Sequence, residues 1–274
     1  MRNVKRGRFK YKYILCIYMI NEEPFSREQI IREVTPIGNG AHIFAPKEWM
    51  GEMVVIVRTP RISLKKRILK VLEPYLENIL GVYLYGSYAR GEQRKDSDVD
   101  VLVISDKNFK IKEMGFEIIT LEKGKIREAI KIAPILVYSA ITEAKPVINS
   151  ELLAELKKNY KPRAQDFKEY IKETKEIIKI NEELLSTYSI ILRLRSIYII
   201  ENLLSGKKYS FVEFKRWILK DARNEDTEAN FNNIYDAYIR EKNNLKAGIK
   251  EDYLKDFLLI LKEKTKKLES KIYG

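Results

Sequence analysis

Between residues 82 and 104 the chain reads V-Y-L-Y-G-S-Y-A-R-G-E-Q-R-K-D-S-D-V-D-V-L-V-I. Two runs rich in β-branched and aromatic residues flank a polar stretch that opens on Gly86-Ser87. Runs of this kind bounded by turn residues form buried strands, so the segment belongs in a sheet with its polar centre at one end. Asp98 and Asp100 stand two apart on the second strand, and both side chains therefore leave the same face. Paired carboxylates repel unless a cation sits between them. Hard oxygen donors suit Mg2+, which takes one or two carboxylates plus waters and phosphate oxygens. Gly86 lets the backbone approach a phosphate, Ser87 adds a hydroxyl, and Arg90 carries a fork that matches phosphate oxygens. The amides after Ser87 can open a helix whose N-terminus faces an anion. These are the parts of metal-assisted phosphoryl or nucleotidyl transfer. A bare Asp-x-Asp is more often a solvated strand face. The whole string is another matter, because its eight defining residues coincide by chance in roughly 10⁻⁷ of chains at average composition.

The surroundings divide into three zones. Residues 1 to about 61 are strand-rich, with a short helix expected at 26–32 and a buried strand at 11–20 (YKYILCIYMI). That apolar run follows a basic start, as in a signal peptide, but it is short and lacks a small-residue cleavage site. Residues 62–150 alternate helix and strand. Ser63 caps a helix over 63–80 that Pro74 kinks or splits, and strands are expected at 82–85, 98–104 and 134–138, with a helix near 125–132. Residues 151–274 repeat apolar positions at three- and four-residue spacing. The predicted helices are 150–158, 165–185, 187–204, 211–222, 227–246 and 251–272, and short connections between them imply a bundle.

Gly86-Ser87-x-Ala89-Arg90-Gly91 followed by Ser97-Asp98-x-Asp100 resembles the signature of the DNA polymerase β-like nucleotidyltransferases in their minimal form. The resemblance covers about residues 62–150. It implies transfer of a nucleoside monophosphate, most often AMP from ATP, with two Mg2+ ions. By position, Gly86 and Ser87 would hold the triphosphate and Asp98 and Asp100 would ligate the metals. Arg90 would support the loop or contact phosphate. The family places a third carboxylate on a later strand. The strand expected at 134–138 carries no acid, and the nearest candidates are Glu117, in the apolar stretch 116–120, and Glu143. Three outcomes stay open: a displaced glutamate serves, two carboxylates and water suffice, or catalysis is lost while nucleotide binding remains.

Residues 34–57 place Gly38-Asn39-Gly40 between strand candidates and end on a β-branched strand at 53–57. This resembles the AbrB-like swapped-hairpin domain, and more closely small archaeal transposon-associated proteins, which implies a homodimer and a DNA partner. The helical zone resembles the bundle that accompanies minimal nucleotidyltransferases, in kanamycin nucleotidyltransferase or in toxin–antitoxin pairs with HEPN ribonucleases. Those ribonucleases need a histidine, and the single histidine here is His42, outside the bundle. The basic aromatic stretches 207–217 and 235–242 are candidate walls for a second substrate.

Composition narrows the rest. One cysteine, Cys16, excludes an internal disulfide and multi-cysteine zinc sites, and suits the cytoplasm. No segment approaches about 18 consecutive apolar residues, so no membrane span is expected. Lys plus Arg exceed Asp plus Glu by 52 − 39 = +13, which favours polyanionic partners. The expected architecture is a multidomain α+β protein. It comprises a small β domain over 1–61, an α/β domain with a mixed sheet over 62–150, and an all-α bundle over 151–274. The expected function is Mg2+-dependent nucleotidyl transfer to a hydroxyl of a protein, an RNA or a small molecule. A weakened nucleotide- and DNA-binding regulator, or a toxin–antitoxin-type interaction protein, is the alternative.

Overall fold

A computed structural model describes residues 32, 34–56, 63–94, 97–221, 226–242, 245, 249 and 251–274, with backbone alone at 226–229. These residues belong to two compact units, 1–60 and 61–274.

In the first unit, β1 (Thr35–Ile37) and β2 (Gly40–His42) form an antiparallel hairpin. Gly38 turns the chain at φ +51°, a conformation glycine adopts without penalty. A 3-10 turn, Lys47–Trp49, follows Pro46. The strand expected at 53–57 does not form over the described residues 52–56. Among the described residues no strand bonds to them, and Met53, Val54, Val55 and Ile56 are all exposed. The strand expected at 11–20, and the helix at 26–32 apart from Arg32, lie outside the described residues.

The second unit opens with α1 (Leu64–Leu72), whose first turn is capped by the Ser63 hydroxyl accepting from the Lys66 amide. Pro74 ends the α-helical run, and residues Glu73–Asn78 continue as 3-10 helix. The sheet has strand order β5-β4-β3-β6 and is built from β3 (Ile79–Leu84), β4 (Val99–Ser105), β5 (Phe116–Glu122) and β6 (Lys145–Ile148). The strand β4 runs antiparallel to β3 and parallel to β5, so the sheet is mixed as expected.

Period-two alternation sorts the side chains by face. Val82, Val99, Val101 and Val103 pack on Ile68 and Leu72 of α1. Burying those two side chains is worth about 1.5–3 kcal/mol each. Tyr83, Tyr85, Leu102 and Ile104 face the other way, into the cluster that forms the core of the helical region. The sheet and the bundle therefore share one core.

The segment expected as a third strand at 134–138 is instead the start of α4 (Pro134–Glu143), which follows α3 (Ile126–Ile132). Pro134 occupies the first helical turn, where its missing N–H costs nothing. Val137, Tyr138, Ala140 and Ile141 are all buried. A short run covered on most sides reads the same as strand or helix.

Among the described residues six further α-helices follow in this unit: α5 (Ser150–Asn159), α6 (Lys168–Leu184), α7 (Thr187–Leu204), α8 (Phe211–Leu219), α9 (Asp226–Lys242) and α10 (Glu251–Tyr273). The central helix α7 buries side chains on nearly every side, including Ile190, Leu194, Ile197 and Ile200. Among the described residues no helix is long and apolar enough to cross a membrane.

Candidate active site

The chain leaves β3 at Tyr85 and turns at Gly86 into the short helix α2 (Gly86–Arg90). Tyr85 donates its amide to the Asp100 carbonyl at 3.0 Å, which fixes the turn beside the start of β4. Gly86 stands at φ +67°, and a Cβ there would lie 1.9 Å from Oδ2 of Asp100. Both the backbone and the neighbouring carboxylate therefore require glycine. The Ser87 amide donates to the Asp100 carboxylate. Gly91, at φ +78°, ends α2, and Arg94 and Ser97 bond to each other before β4. The Arg94 amide donates to the Ser97 hydroxyl at 2.9 Å, which sets the direction in which Asp98 enters β4.

Asp98 and Asp100 leave the same face of this strand, the face that also carries Leu102 and Ile104 into the bundle-side core. On the parallel neighbour β5, Glu117 is the register partner of Asp100. Three acids therefore belong to one face of two adjacent strands, at the end next to Gly86. Asp98 and Glu117 are exposed and Asp100 is half-buried. Burial, and then the charge of Glu117, push the Asp100 carboxyl up to about 6. The Ser87 amide, Lys242 of α9 and Arg90 pull the other way. Tyr85 lies against the same acids. Burial, then Asp100, Glu117 and Glu143, raise its hydroxyl, which finds no hydrogen-bond partner among the described residues.

Glu143 stands apart from this trio. It is 7% exposed at the end of α4, pairs with Arg90 and accepts the Gly86 amide. Burial raises its carboxyl despite the Arg90 and Arg195 charges. Arg90 also donates from Nε to Glu92 at 2.8 Å and lies 4.9 Å over the Tyr209 ring, with Arg195 at 5.2 Å. The second oxygen of Glu92 accepts the Phe211 amide of α8 at 3.1 Å. Arg90 is thus engaged behind the Gly86 turn, in contact with the bundle. Sequence reasoning missed Glu92 and Arg195. An arginine within the largely apolar α7 was the available signal, since buried arginines are almost always paired.

The donors suit a hard divalent cation: three carboxylates share a face, and burial together with its neighbour's charge disfavours the ionised form of one of them. Among the described residues no three His, Cys, Asp or Glu side chains are yet gathered at ligand distance.

Comparison with known proteins gives matches to both units. Residues 28–57 match a family of putative transposon-encoded proteins, in keeping with the resemblance seen there in the sequence. A putative protein adenylyltransferase of Methanocaldococcus jannaschii is 31% identical over 90 residues, covering 33% of this chain and 84% of that protein. The crystal structure of a spectinomycin adenyltransferase from Enterococcus faecialis, with ATP and spectinomycin, aligns with 74% of this chain and 97% of its own. Its TM-score is 0.45 and its sequence identity 16%. Residues 64–218, from the first helix through most of α8, match the nucleotidyltransferase domain, and the chain belongs to that family.

Proposed function

We propose that the chain transfers AMP from ATP to a hydroxyl group of a protein, with Asp98, Asp100 and Glu117 as the acids of the reaction centre. The observation that carries this reading is the register pairing of Asp100 with Glu117. It sets Glu117, one of the two candidates the sequence offered for a third carboxylate, beside Asp100, and so supports the catalytic reading over that of a weakened regulator. The adenylyl donor and the protein acceptor are taken from the name of the archaeal relative.

The three carboxylates would hold Mg2+, which when bound offsets triphosphate charge and makes the α-phosphorus more electrophilic. Gly86 and Ser87 place backbone and hydroxyl against the triphosphate. The acceptor oxygen attacks the α-phosphorus in line, the bond to the β-phosphate oxygen breaks, and pyrophosphate leaves. Glu117, exposed like Asp98 but set on the neighbouring strand beside Asp100, is the acid assigned to take the hydroxyl proton of an acceptor arriving from solvent. Glu143 and Arg90 hold the Gly86 turn from behind and touch no reacting atom.

The N-terminal unit adds a homodimer contact on this reading. Phe44, Met53 and Val55 are 72%, 102% and 91% exposed, a larger apolar display than a free hairpin keeps in water.

The test uses the full chain with Mg2+ and ATP labelled at the α- or the γ-phosphate, over a protein extract. Label from the α position should enter protein, and label from the γ position should leave as pyrophosphate. Glu117→Gln and Asp100→Asn should each lower transfer by at least about 10²-fold. Transfer of the γ label, or full activity in Glu117→Gln, would overturn the assignment.

A further inference from the structure

A cavity of about 230 Å3 opens beside the turn that delivers Asp98 to its strand. It is lined by Arg94, Phe211, Asn232, Tyr235 and Asp236. The rings of Phe211 and Tyr235 stand 4.7 Å apart between centroids and make a tilted platform. The Arg94 guanidinium carbon lies 6.0 Å and 5.7 Å from those centroids, and Arg94 pairs with Asp236 at 3.4 Å. A planar group of the chain's own therefore already rests over the platform. Such a contact is weak at an exposed site. A base stacking on an aromatic ring is stronger, and a guanidinium plane can cover the base's other face.

The cavity is also aligned with the carboxylates. On α9, Asn232, Tyr235, Asp236, Ile239 and Lys242 recur at three- and four-residue spacing and share one face. From Asn232 to Lys242 that face runs about 15 Å at 1.5 Å per residue. Its Lys242 end is near enough to Asp100 to act on its charge. One extended nucleotide can bridge such a span, with phosphates at the Gly86 end. The chain's excess of positive charge favours a nucleotide over a cationic guest. The carboxamide of Asn232 donates and accepts at once, as the amine and ring-nitrogen edge of adenine requires.

We propose that this cavity binds the base of the donor nucleotide, stacked between the Phe211–Tyr235 platform and Arg94, with its edge toward Asn232. The inference rests on the nucleotidyl-transfer reading of the carboxylate face and adds the residues that choose the donor.

Calorimetric titration of the full chain with Mg2+ and either ATP or inorganic tripolyphosphate tests it. Phe211→Leu and Arg94→Ala should each weaken ATP by at least about fivefold and leave tripolyphosphate within about twofold. Arg94 is 47% exposed, so its variant keeps the fold even if Phe211→Leu, checked by thermal melting, does not. Asn232→Ala should narrow the preference for ATP over CTP. Unchanged ATP affinity in Arg94→Ala, or equal weakening of both ligands, would overturn the proposal. Unchanged ATP affinity with a raised acceptor KM would assign the cavity to the acceptor and overturn it too. If the wild type binds tripolyphosphate no more weakly than ATP, the base site alone fails. If it binds neither, the nucleotidyl-transfer reading fails and this inference with it.

Discussion

Asp100 and Glu117 stand opposite each other on adjacent parallel strands, and the charge of Glu117 bears on the Asp100 carboxyl. Burial first, and then this closeness, make the charged form of Asp100 costly.

Replacing Asp100 should therefore stabilise the protein while removing activity. Its carboxyl titrates at about 6 against an ordinary 3.8. That difference of about two units corresponds to roughly 3 kcal/mol. Below pH 3.8 both folded and unfolded chains hold the proton and nothing is lost. As pH rises through 6 the folded state must carry the charge, and stability falls. With a chelator at pH 7.5, Asp100→Asn should resist urea better than wild type, and the gap should close toward pH 4. A variant less stable than wild type at pH 7.5 would contradict the carboxylate strain.

Gly86→Ala should cost both function and fold. The added Cβ would strike the Asp100 carboxylate, and its φ of +67° adds about 1–2 kcal/mol for a residue with a side chain. Mg2+-dependent ATP binding should disappear, with a lowered melting temperature. Normal binding would show that Asp100 yields without consequence.

Arg90 separates a structural from a phosphate-binding role. Removing one partner of a buried ion pair costs about 3–5 kcal/mol, because the other charge is left without compensation. Arg90→Ala should lose that much in urea denaturation, since Glu143 is 7% exposed beneath it. A variant of wild-type stability with weakened ATP affinity would instead make Arg90 a phosphate ligand.

The dimer reading predicts that a chain beginning at Arg61 sediments as a monomer while the full chain sediments as a dimer. Dimers that survive the truncation would move the interface into the second unit.

Much of this was written locally. The helix Thr187–Leu204 follows from its caps and apolar spacing with both ends as expected. The Gly86–Asp100 string carried its chemistry in the spacing alone. What local pattern could not supply was pairing at a distance. The stretch F-E-I-I-T-L-E carries an acid near the start of an apolar run, as D-V-D-V-L-V-I does, and that likeness was the available signal. Its meaning depends on β5 lying parallel to β4 in the register that sets Glu117 beside Asp100. The sequence alone offers Glu117 only as a displaced candidate, because Ile135, Leu136 and Val137 favour a strand at 134–138 equally well.

Glu92 holds Arg90 with one oxygen and the Phe211 amide with the other. Exchanging the helical half for that of a relative, to redirect the enzyme to another acceptor, would therefore disturb the Gly86 loop proposed above to hold the phosphates. A graft joined after residue 150 would leave Glu92 short of one donor and Arg90 without the Tyr209 ring beneath it. A working chimera must carry the 86–94 segment and the start of α8 from the same parent.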